Sequence, residues 1–306
     1  MQYHLISDRI ATQLVASGLK LDGVRRLIAV GLDEDLADGP DITTLATVPA
    51  DQRSFGTFSA RTAGCIAGLD IAAAVLEMVC GANDVNFTKC VNDGDHVQAG
   101  AALANIESPT RGLLTAERTA LNILCHLSGV ATATALWVEA LAGTGASVRD
   151  TRKTTPGLRM LEKYAVRCGG GANHRMSLSD SALVKDNHIF SAGGVAQAFA
   201  AVRARRSDIA IEIEVDSLDQ LRSALEAGAD LVLLDNMSTE VLRQSVQIAN
   251  QYTARTGRPV VLEASGGLTI DLAKAVAQTG VHFISVGALT HSAPVLDIGL
   301  DLQSIM

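Results

Sequence analysis

The 306-residue chain is poor in aromatic side chains: Phe, Tyr and Trp make up 3% of it, and there is one Trp. Stacking on bases or sugar rings needs such side chains, so that binding mode is not expected. A net charge of −8 lacks the basic footprint of a nucleic-acid binder. The five cysteines, Cys65, Cys80, Cys90, Cys125 and Cys168, are odd in number, and no two are spaced C-x-x-C. They suit neither a disulfide framework nor a zinc site and read as reduced thiols of a cytoplasmic protein. Cys168 as a catalytic thiol is weaker than the reading of it as a buried, inert one. No clean apolar run approaches the ~20 residues of a membrane span. The longest, 65–82, carries Asp70 and Glu77 and suits a packed helix, so no membrane association is expected. The opening MQYHLISDRIATQL has no basic stretch followed by an apolar core, so no secretory signal is expected. There is also no low-complexity linker and no sequence repeat.

What is present is an ordinary globular composition, 48% hydrophobic and 19% charged, with ample material for a core. At roughly 150 residues per domain the length suggests two domains. Up to about residue 128 helical and strand patterns mix. Residues 23–36 read as a helix, 54–68 as strands around a glycine turn, and 114–132 as a long amphipathic helix. Within 89–108 the G-D-x-V-x-x-G spacing has the turn chemistry of a small β-hammerhead or biotinyl-like barrel. It lacks the lysine that such domains modify, which leaves a structural role.

From about residue 130 short apolar runs alternate with helical segments. The runs are 146–152, 182–185, 210–216, 230–236, 260–266 and 282–287. Helical patterns separate them, as at 218–227, 240–254 and 271–279. EAGAD (226–230) and QTGVH (278–282) are matching turns that place Gly at a helix end. Repeated βα units build a parallel sheet, here of α/β-barrel type.

Barrel strands are usually filled with aliphatic residues, and chemistry sits at their carboxyl ends. Here those ends are charged or glycine-rich: Arg152 and Lys153, Lys185, Glu212 and Glu214, Asp235, Glu263 with Ser265-Gly266-Gly267, and Gly287. The stretch 150–189 carries seven Lys or Arg against four acids, in a chain that is acidic as a whole. Such a concentration suits a polyanionic ligand, with Arg as the bidentate partner of carboxylate or phosphate and Lys as a point charge. Arg152, Lys153, His174, Arg175 and Lys185 take the functional reading. Arg159, Lys163 and Arg167 read as a solvated face of a helix that Thr155 caps, with Pro156 in its first turn. Glu214 and Asp235 either balance these cations or hold Mg²⁺ or ribose hydroxyls, and the second reading is preferred. ASGGL and SVGALTHS, after the last two strands, suit a phosphate.

The motifs EDLADGPDITT, LTAERTALNILCHLSGVAT, DTRKTTPGLRMLEKYAV, CGGGANHR, LVKDNHI, EIEV, LLDNM, LEASGG and FISVGALTHS resemble, in order and over nearly the whole chain, the quinolinate phosphoribosyltransferase family. The resemblance implies an α/β-sandwich N-terminal domain over 1–128, with the tail 289–306 packed on it. It also implies an open, irregular, TIM-like seven-stranded α/β barrel over 129–288. It implies transfer of phosphoribose from 5-phosphoribosyl-1-pyrophosphate (PRPP) to quinolinate with decarboxylation, giving nicotinate mononucleotide, pyrophosphate and CO₂, with Mg²⁺ as cofactor. A homodimer, or a hexamer built from it, would bring Arg118 to the neighbouring subunit's site.

By the same resemblance, Arg118, Arg152, Lys153, His174, Arg175 and Lys185 would bind quinolinate. Lys153, Lys185, Glu214 and Asp235 would form the catalytic group at the donor, the two acids holding ribose hydroxyls and Mg²⁺ directly or through water. Ser265, Gly266, Gly267, Gly287 and Ala288 would surround the 5′-phosphate. Rival readings are a ModD-like phosphoribosyltransferase with another acceptor, a Schiff-base lyase using Lys153 or Lys185, and a non-catalytic anion binder.

Overall fold

The computed structural model describes residues 3–304. The chain forms two compact units, one comprising residues 1–135, 155–170 and 292–306, the other residues 136–154 and 171–291.

The first unit opens with α1 (Asp8–Ala16), α2 (Leu21–Leu36) and α3 (Ile42–Thr47). The Ser7 hydroxyl caps α1 by accepting the Ile10 N–H. In α2 the buried residues are Val24, Ile28, Leu32 and Leu36, four apart, which is the spacing that puts side chains on one helical stripe. Next come β1 (Arg53–Ala60), β2 (Gly64–Cys65), α4 (Leu69–Cys80), β3 (Asn86–Lys89), β4 (His96–Val97), β5 (Ala102–Pro109) and α5 (Thr110–Ala140). A four-stranded antiparallel sheet runs β12-β1-β5-β3, where β12 (Ile298–Ser304) is the last element of the chain. β2 pairs with β4 in a separate two-stranded sheet. The 89–108 segment therefore makes no small barrel of its own, because β3 and β5 spend their hydrogen bonds on the larger sheet.

The apolar run within 65–82 forms α4, which is buried on nearly every face. Among the described residues one helix, α5, is long and apolar enough to cross a membrane, and half of its most apolar stretch is buried inside the protein.

The first unit also takes in α6 (Arg159–Cys168). Two sequence expectations fail here. The helix begins at Arg159, not at Thr155-Pro156, because Gly157 adopts φ +85°, outside the right-handed helical region. The Thr155 N–H is instead donated to the buried Glu162 carboxylate, 3.1 Å away. Nor is the basic face solvated throughout: every residue from Leu161 to Val166 is buried, and Lys163 is fully so. Arg159 is half-buried, and the exposed Arg167 donates to the Ser17 carbonyl at 2.8 Å.

The second unit is built on six parallel strands: β6 (Ser147–Arg149), β7 (Ala182–Val184), β8 (Ile211–Val215), β9 (Leu231–Asp235), β10 (Val261–Ser265) and β11 (Phe283–Ser285). Each falls inside one of the six apolar runs. They are ordered β6-β11-β10-β9-β8-β7. A single parallel bridge, Arg149 to Ala172, adds one more backbone position beside β6. Among the described strands the ladder does not return from β7 to β6, so the barrel is open.

Helices α7 (Asp186–Ala192), α8 (Val195–Arg205), α9 (Leu218–Glu226), α10 (Thr239–Thr256), α11 (Ile270–Ala277) and α12 (Ala288–His291) alternate with the strands. Gly228 and Gly280, just past α9 and α11, sit at φ +97° and +96°, the left-handed exit that an L side chain rarely adopts. Because the strands are parallel, their carboxyl ends gather at one edge of the sheet, where the functional residues collect.

Candidate active site

At that edge lies a cleft of about 550 Å³, lined by Thr151, Arg152, Lys153, His174, Arg175, Leu183, Lys185, Glu214, Leu233, Asp235, Asn236, Ser265, Gly266, Gly267 and Ser285. Strand periodicity explains the membership. Leu183 and Lys185, Glu214, Leu233 and Asp235, and Ser265 lie at alternate positions, so their side chains point to the same face.

Arg152 and Arg175 form the cationic part of the wall. The Arg175 guanidinium donates through Nη1 to the Ser181 carbonyl at 3.0 Å. Its Nε, like that of Arg152, is buried without a hydrogen-bond partner. Burial first, and the Arg152 charge second, hold Arg175 below its ordinary pKa. Two neighbouring guanidinium groups with unmet donors are a site prepared for an anion.

The Lys185 Nζ is 2.5 Å from Glu214 Oε2. The Lys185 backbone N–H donates to His188 Nδ1 at 2.9 Å, which fixes the start of α7. Lys153 is exposed, and the Thr290 hydroxyl donates to its carbonyl at 2.8 Å.

The acidic and glycine-rich wall is shaped by backbone geometry. Asn236 adopts φ +53°, an uncommon conformation that Asn tolerates better than most residues. Its Nδ2 donates to Asp235 Oδ2 at 2.8 Å, and its N–H donates to the Ser265 carbonyl at 2.9 Å. Gly266, at φ +102°, packs so closely that an added Cβ would stand 2.2 Å from Asn236 Oδ1. Gly267 has open space around it. Gly287 and Ala288 are not among the lining residues, but Gly287 lies against Lys153: a Cβ there would sit 3.0 Å from the lysine Cδ.

Behind the cleft lies a buried polar layer. Arg149 pairs with Glu263, whose Oε1 accepts the Ser285 hydroxyl at 2.5 Å. Burial, then the Glu212 charge, push the Glu263 carboxyl above the usual range, while Arg149 acts the other way. His174 Nε2 is 2.8 Å from Glu212 Oε2, and His174 Nδ1 accepts the Arg175 backbone N–H at 2.7 Å.

The site residues read from the sequence thus sort into two groups. Arg152, Lys153, His174, Arg175, Lys185, Glu214, Asp235, Ser265, Gly266 and Gly267 share one cleft. Arg118 does not line it: it is exposed on the part of α5 that belongs to the first unit. Sequence reasoning missed Thr151 and Asn236, and it reached Ser285 only as the first residue of the SVGALTHS turn. Asn236 carried a usable signal, an Asn directly after a strand-end Asp. Thr151 carried none.

An α/β-barrel unit with a cationic, glycine-edged cleft at the strand ends belongs to the class of enzymes that handle phosphorylated or carboxylated substrates. The comparisons narrow this class. Residues 41–128 match the model of the quinolinate phosphoribosyl transferase N-terminal domain, and 130–301 that of its C-terminal domain. The chain is 49% identical over 286 residues to the nicotinate-nucleotide pyrophosphorylase (carboxylating) of Mycobacterium leprae, covering 94% of this chain and 99% of the relative. It is 39% identical to a probable enzyme of the same name from Bacillus subtilis, over 88% of this chain and 90% of the relative. The structure of the Francisella tularensis nicotinate-nucleotide pyrophosphorylase superposes with a TM-score of 0.87 at 39% identity, over 93% of this chain and 98% of that one. The chain belongs to the quinolinate phosphoribosyltransferase family.

Proposed function

We infer that this enzyme transfers phosphoribose from PRPP to quinolinate and decarboxylates the product to nicotinate mononucleotide, a reaction of NAD biosynthesis. The observation that carries the reading is the cleft's charge pattern in a member of this family: paired arginines with unmet donors share one cleft with a Lys–Glu pair, a second carboxylate and a glycine turn. A pyridine dicarboxylate matches the paired arginines, and a phosphorylated sugar diphosphate matches the lysines, the carboxylates and the glycine turn.

Arg152 and Arg175 would take the acceptor's two carboxylates, with Lys153 and Lys185 adding positive charge beside them. Bound in this way, the ring nitrogen faces C1 of the donor. The nitrogen lone pair forms the new bond to C1 as the C1–oxygen bond breaks, and pyrophosphate leaves with that electron pair. Positive charge develops on the ribose at this point, and Glu214 and Asp235 are the carboxylates available to stabilise it. Lys153 and Lys185 would offset the charge of the departing pyrophosphate. The pyridine nitrogen is then cationic and draws the electrons of the C2–carboxylate bond. CO₂ departs, and C2 takes up a proton. Holding both anions in one geometry supplies much of the acceleration.

Mg²⁺ fits the donor set, since Glu214 and Asp235 offer two carboxylates in an otherwise cationic cleft, and hard cations take one or two such ligands beside substrate phosphates. When bound it would neutralise pyrophosphate charge, with Glu214 and Asp235 holding it directly or through water. Ser265, Gly266, Gly267, Gly287 and Ala288 would cradle the 5′-phosphate, the close glycine turn keeping side chains out of its way. Arg118, exposed on α5, would complete the acceptor wall of a neighbouring subunit in a homodimer.

The test is direct. Purified protein with quinolinate, PRPP and Mg²⁺ should yield nicotinate mononucleotide, followed by mass, and nicotinate offered as acceptor should yield none. Product from neither acceptor, with PRPP still bound, would mean that the acceptor is another anion.

A further inference from the structure

The buried layer beneath the cleft holds ionisable groups that the reaction above does not use. Glu212 and Glu263 are 3% and 0% exposed, Asp150 is fully buried, and His174 is 8% exposed. They come from separate strands and a loop, yet converge on one histidine, two of them at its ring and one at its main chain. Glu212 accepts at 2.8 Å on the side of Nε2, and Glu263 Oε1 stands 3.8 Å from the same nitrogen. Asp150 Oδ1 accepts the His174 backbone N–H at 2.9 Å, and Asp150 Oδ2 accepts from Asn173 Nδ2 at 2.5 Å.

The decisive contact is on the other side of the ring. The Arg175 backbone N–H can only donate, so His174 Nδ1 must accept it. The ring proton therefore sits on Nε2 and is directed at Glu212. Both ring nitrogens are engaged inside the protein, which leaves the imidazole no nitrogen for a substrate carboxylate. What the ring does hold is the main chain of Arg175, the residue whose guanidinium lines the cleft with a free Nε.

We propose that Glu212 is a positioning residue for acceptor binding: it fixes the tautomer and orientation of His174, and His174 in turn fixes the backbone of Arg175 so that its guanidinium meets the acceptor's carboxylate. The inference rests on the phosphoribosyl-transfer reading. It assigns His174 a supporting role through Arg175 in place of a direct contact with the acceptor. Orientation of a ligand by an outer carboxylate–histidine pair is familiar from metal sites, where loss of the carboxylate loosens the histidine without removing it. His174, Glu212 and Glu263 do offer three ligand atoms within 4.8 Å of one another, the spacing of a metal site. The contacts already present oppose that use. Arg149 and Ser285 occupy the two oxygens of Glu263, and the imidazole directs its proton, not a lone pair, at Glu212.

The test is a set of three variants, Glu212→Ala, Glu212→Gln and His174→Ala, with the double variant Glu212→Ala/His174→Ala. Glu212→Ala should raise KM for quinolinate about tenfold or more while KM for PRPP stays within about twofold, since loss of orientation acts on the acceptor alone. Glu212→Gln, whose amide oxygen still accepts from Nε2, should recover most of that loss. The double variant should be no worse than His174→Ala, because Glu212 acts only through the ring. Equal rises in both KM values, a Gln variant as impaired as Ala, or additive losses in the double variant would each overturn the proposal.

If Glu212→Ala does not fold, selective ¹⁵N-histidine NMR of the wild type decides. The Nε2–H tautomer should persist when quinolinate is added, and a proton shift to Nδ1 or a lost Nε2–H would overturn the proposal. A wild type that makes no nicotinate mononucleotide overturns the function, and the inference with it. An active wild type with an unaffected Glu212→Ala overturns the inference alone.

Discussion

Single side chains carry the chemistry here through shape as much as charge. Arg175 is anchored through Nη1 on a carbonyl and through its backbone N–H on an imidazole, so its guanidinium plane is set before any ligand arrives. Lysine would keep the charge but lose the planar fork. Arg175→Lys should raise KM for quinolinate by at least about tenfold with little change in KM for PRPP, which initial-rate kinetics with each substrate varied would detect. An unchanged quinolinate KM would remove Arg175 from the acceptor wall. The thiols make the opposite case, charge withheld. Burial, the largest cause at each, raises the Cys65 thiol to about 11, and Cys80 and Cys168 to about 12. A raised thiol pKa means less thiolate: at pH 8, three units below 11, about one Cys65 in a thousand is nucleophilic. The reactive fraction grows only as pH rises toward those values. Iodoacetamide at pH 8 should therefore label the exposed Cys90 first, seen as a single adduct in intact mass, and turnover should survive it. Early labelling of Cys168 with loss of activity would restore the thiol reading.

At the scale of elements, what the sequence made legible follows from how far each signal depends on distant residues. The six parallel strands were readable because strands buried on both faces are short apolar runs, and their ends were readable because charge interrupts those runs. The glycine exits of α9 and α11 were readable because a left-handed residue has few substitutes. The start of α6 was not: it turns on Gly157 leaving the helical region and on Glu162, a buried carboxylate seven residues further on, which takes the Thr155 N–H. The burial of Lys163 was hidden for the same reason, since a heptad of mixed charge looks solvated until the packing around it is known. The orientation of His174 was least legible of all, because it is fixed by carboxylates from three separate places in the chain. A comparable long-range contact holds the first unit together. Asp93 accepts from the Gly68 and Leu69 N–H groups at the start of α4 and from the Tyr164 hydroxyl of α6, 2.6 Å away. Burial, the dominant cause, raises the Asp93 pKa, while these three donors act against it. Tyr164→Phe removes one donor from a buried carboxylate, and hydrogen bonds to charged groups contribute about 1.5–3 kcal/mol. Urea unfolding should show a loss in that range, and a change below about 0.5 kcal/mol would mean that the two backbone donors suffice.

At the scale of the whole molecule the open question is where the acceptor wall ends. The cleft gathers every cation assigned to it except Arg118, which is exposed on α5 of the first unit. The homodimer proposed above accounts for that exposure by making Arg118 a contribution to a neighbouring chain's site. Such sharing makes a quantitative prediction that an independent subunit does not. Arg118→Ala and Lys153→Ala should each be nearly inactive alone, because every site in either homodimer lacks one essential cation. After the two variants are unfolded together and refolded, half of the dimers are mixed. Each mixed dimer holds one site with both defects and one with neither, because a two-fold axis pairs each chain's Arg118 with its partner's Lys153. Activity should therefore return to about a quarter of the wild-type value. Were Arg118 to serve its own chain, every site in a mixed dimer would still carry one defect, and the mixture would stay as inactive as its components. Recovery on mixing, set against sedimentation showing dimers in all three samples, would separate a shared site from a destabilised fold. An Arg118→Ala protein that retains wild-type KM for quinolinate would remove this residue from the site whichever chain it faces.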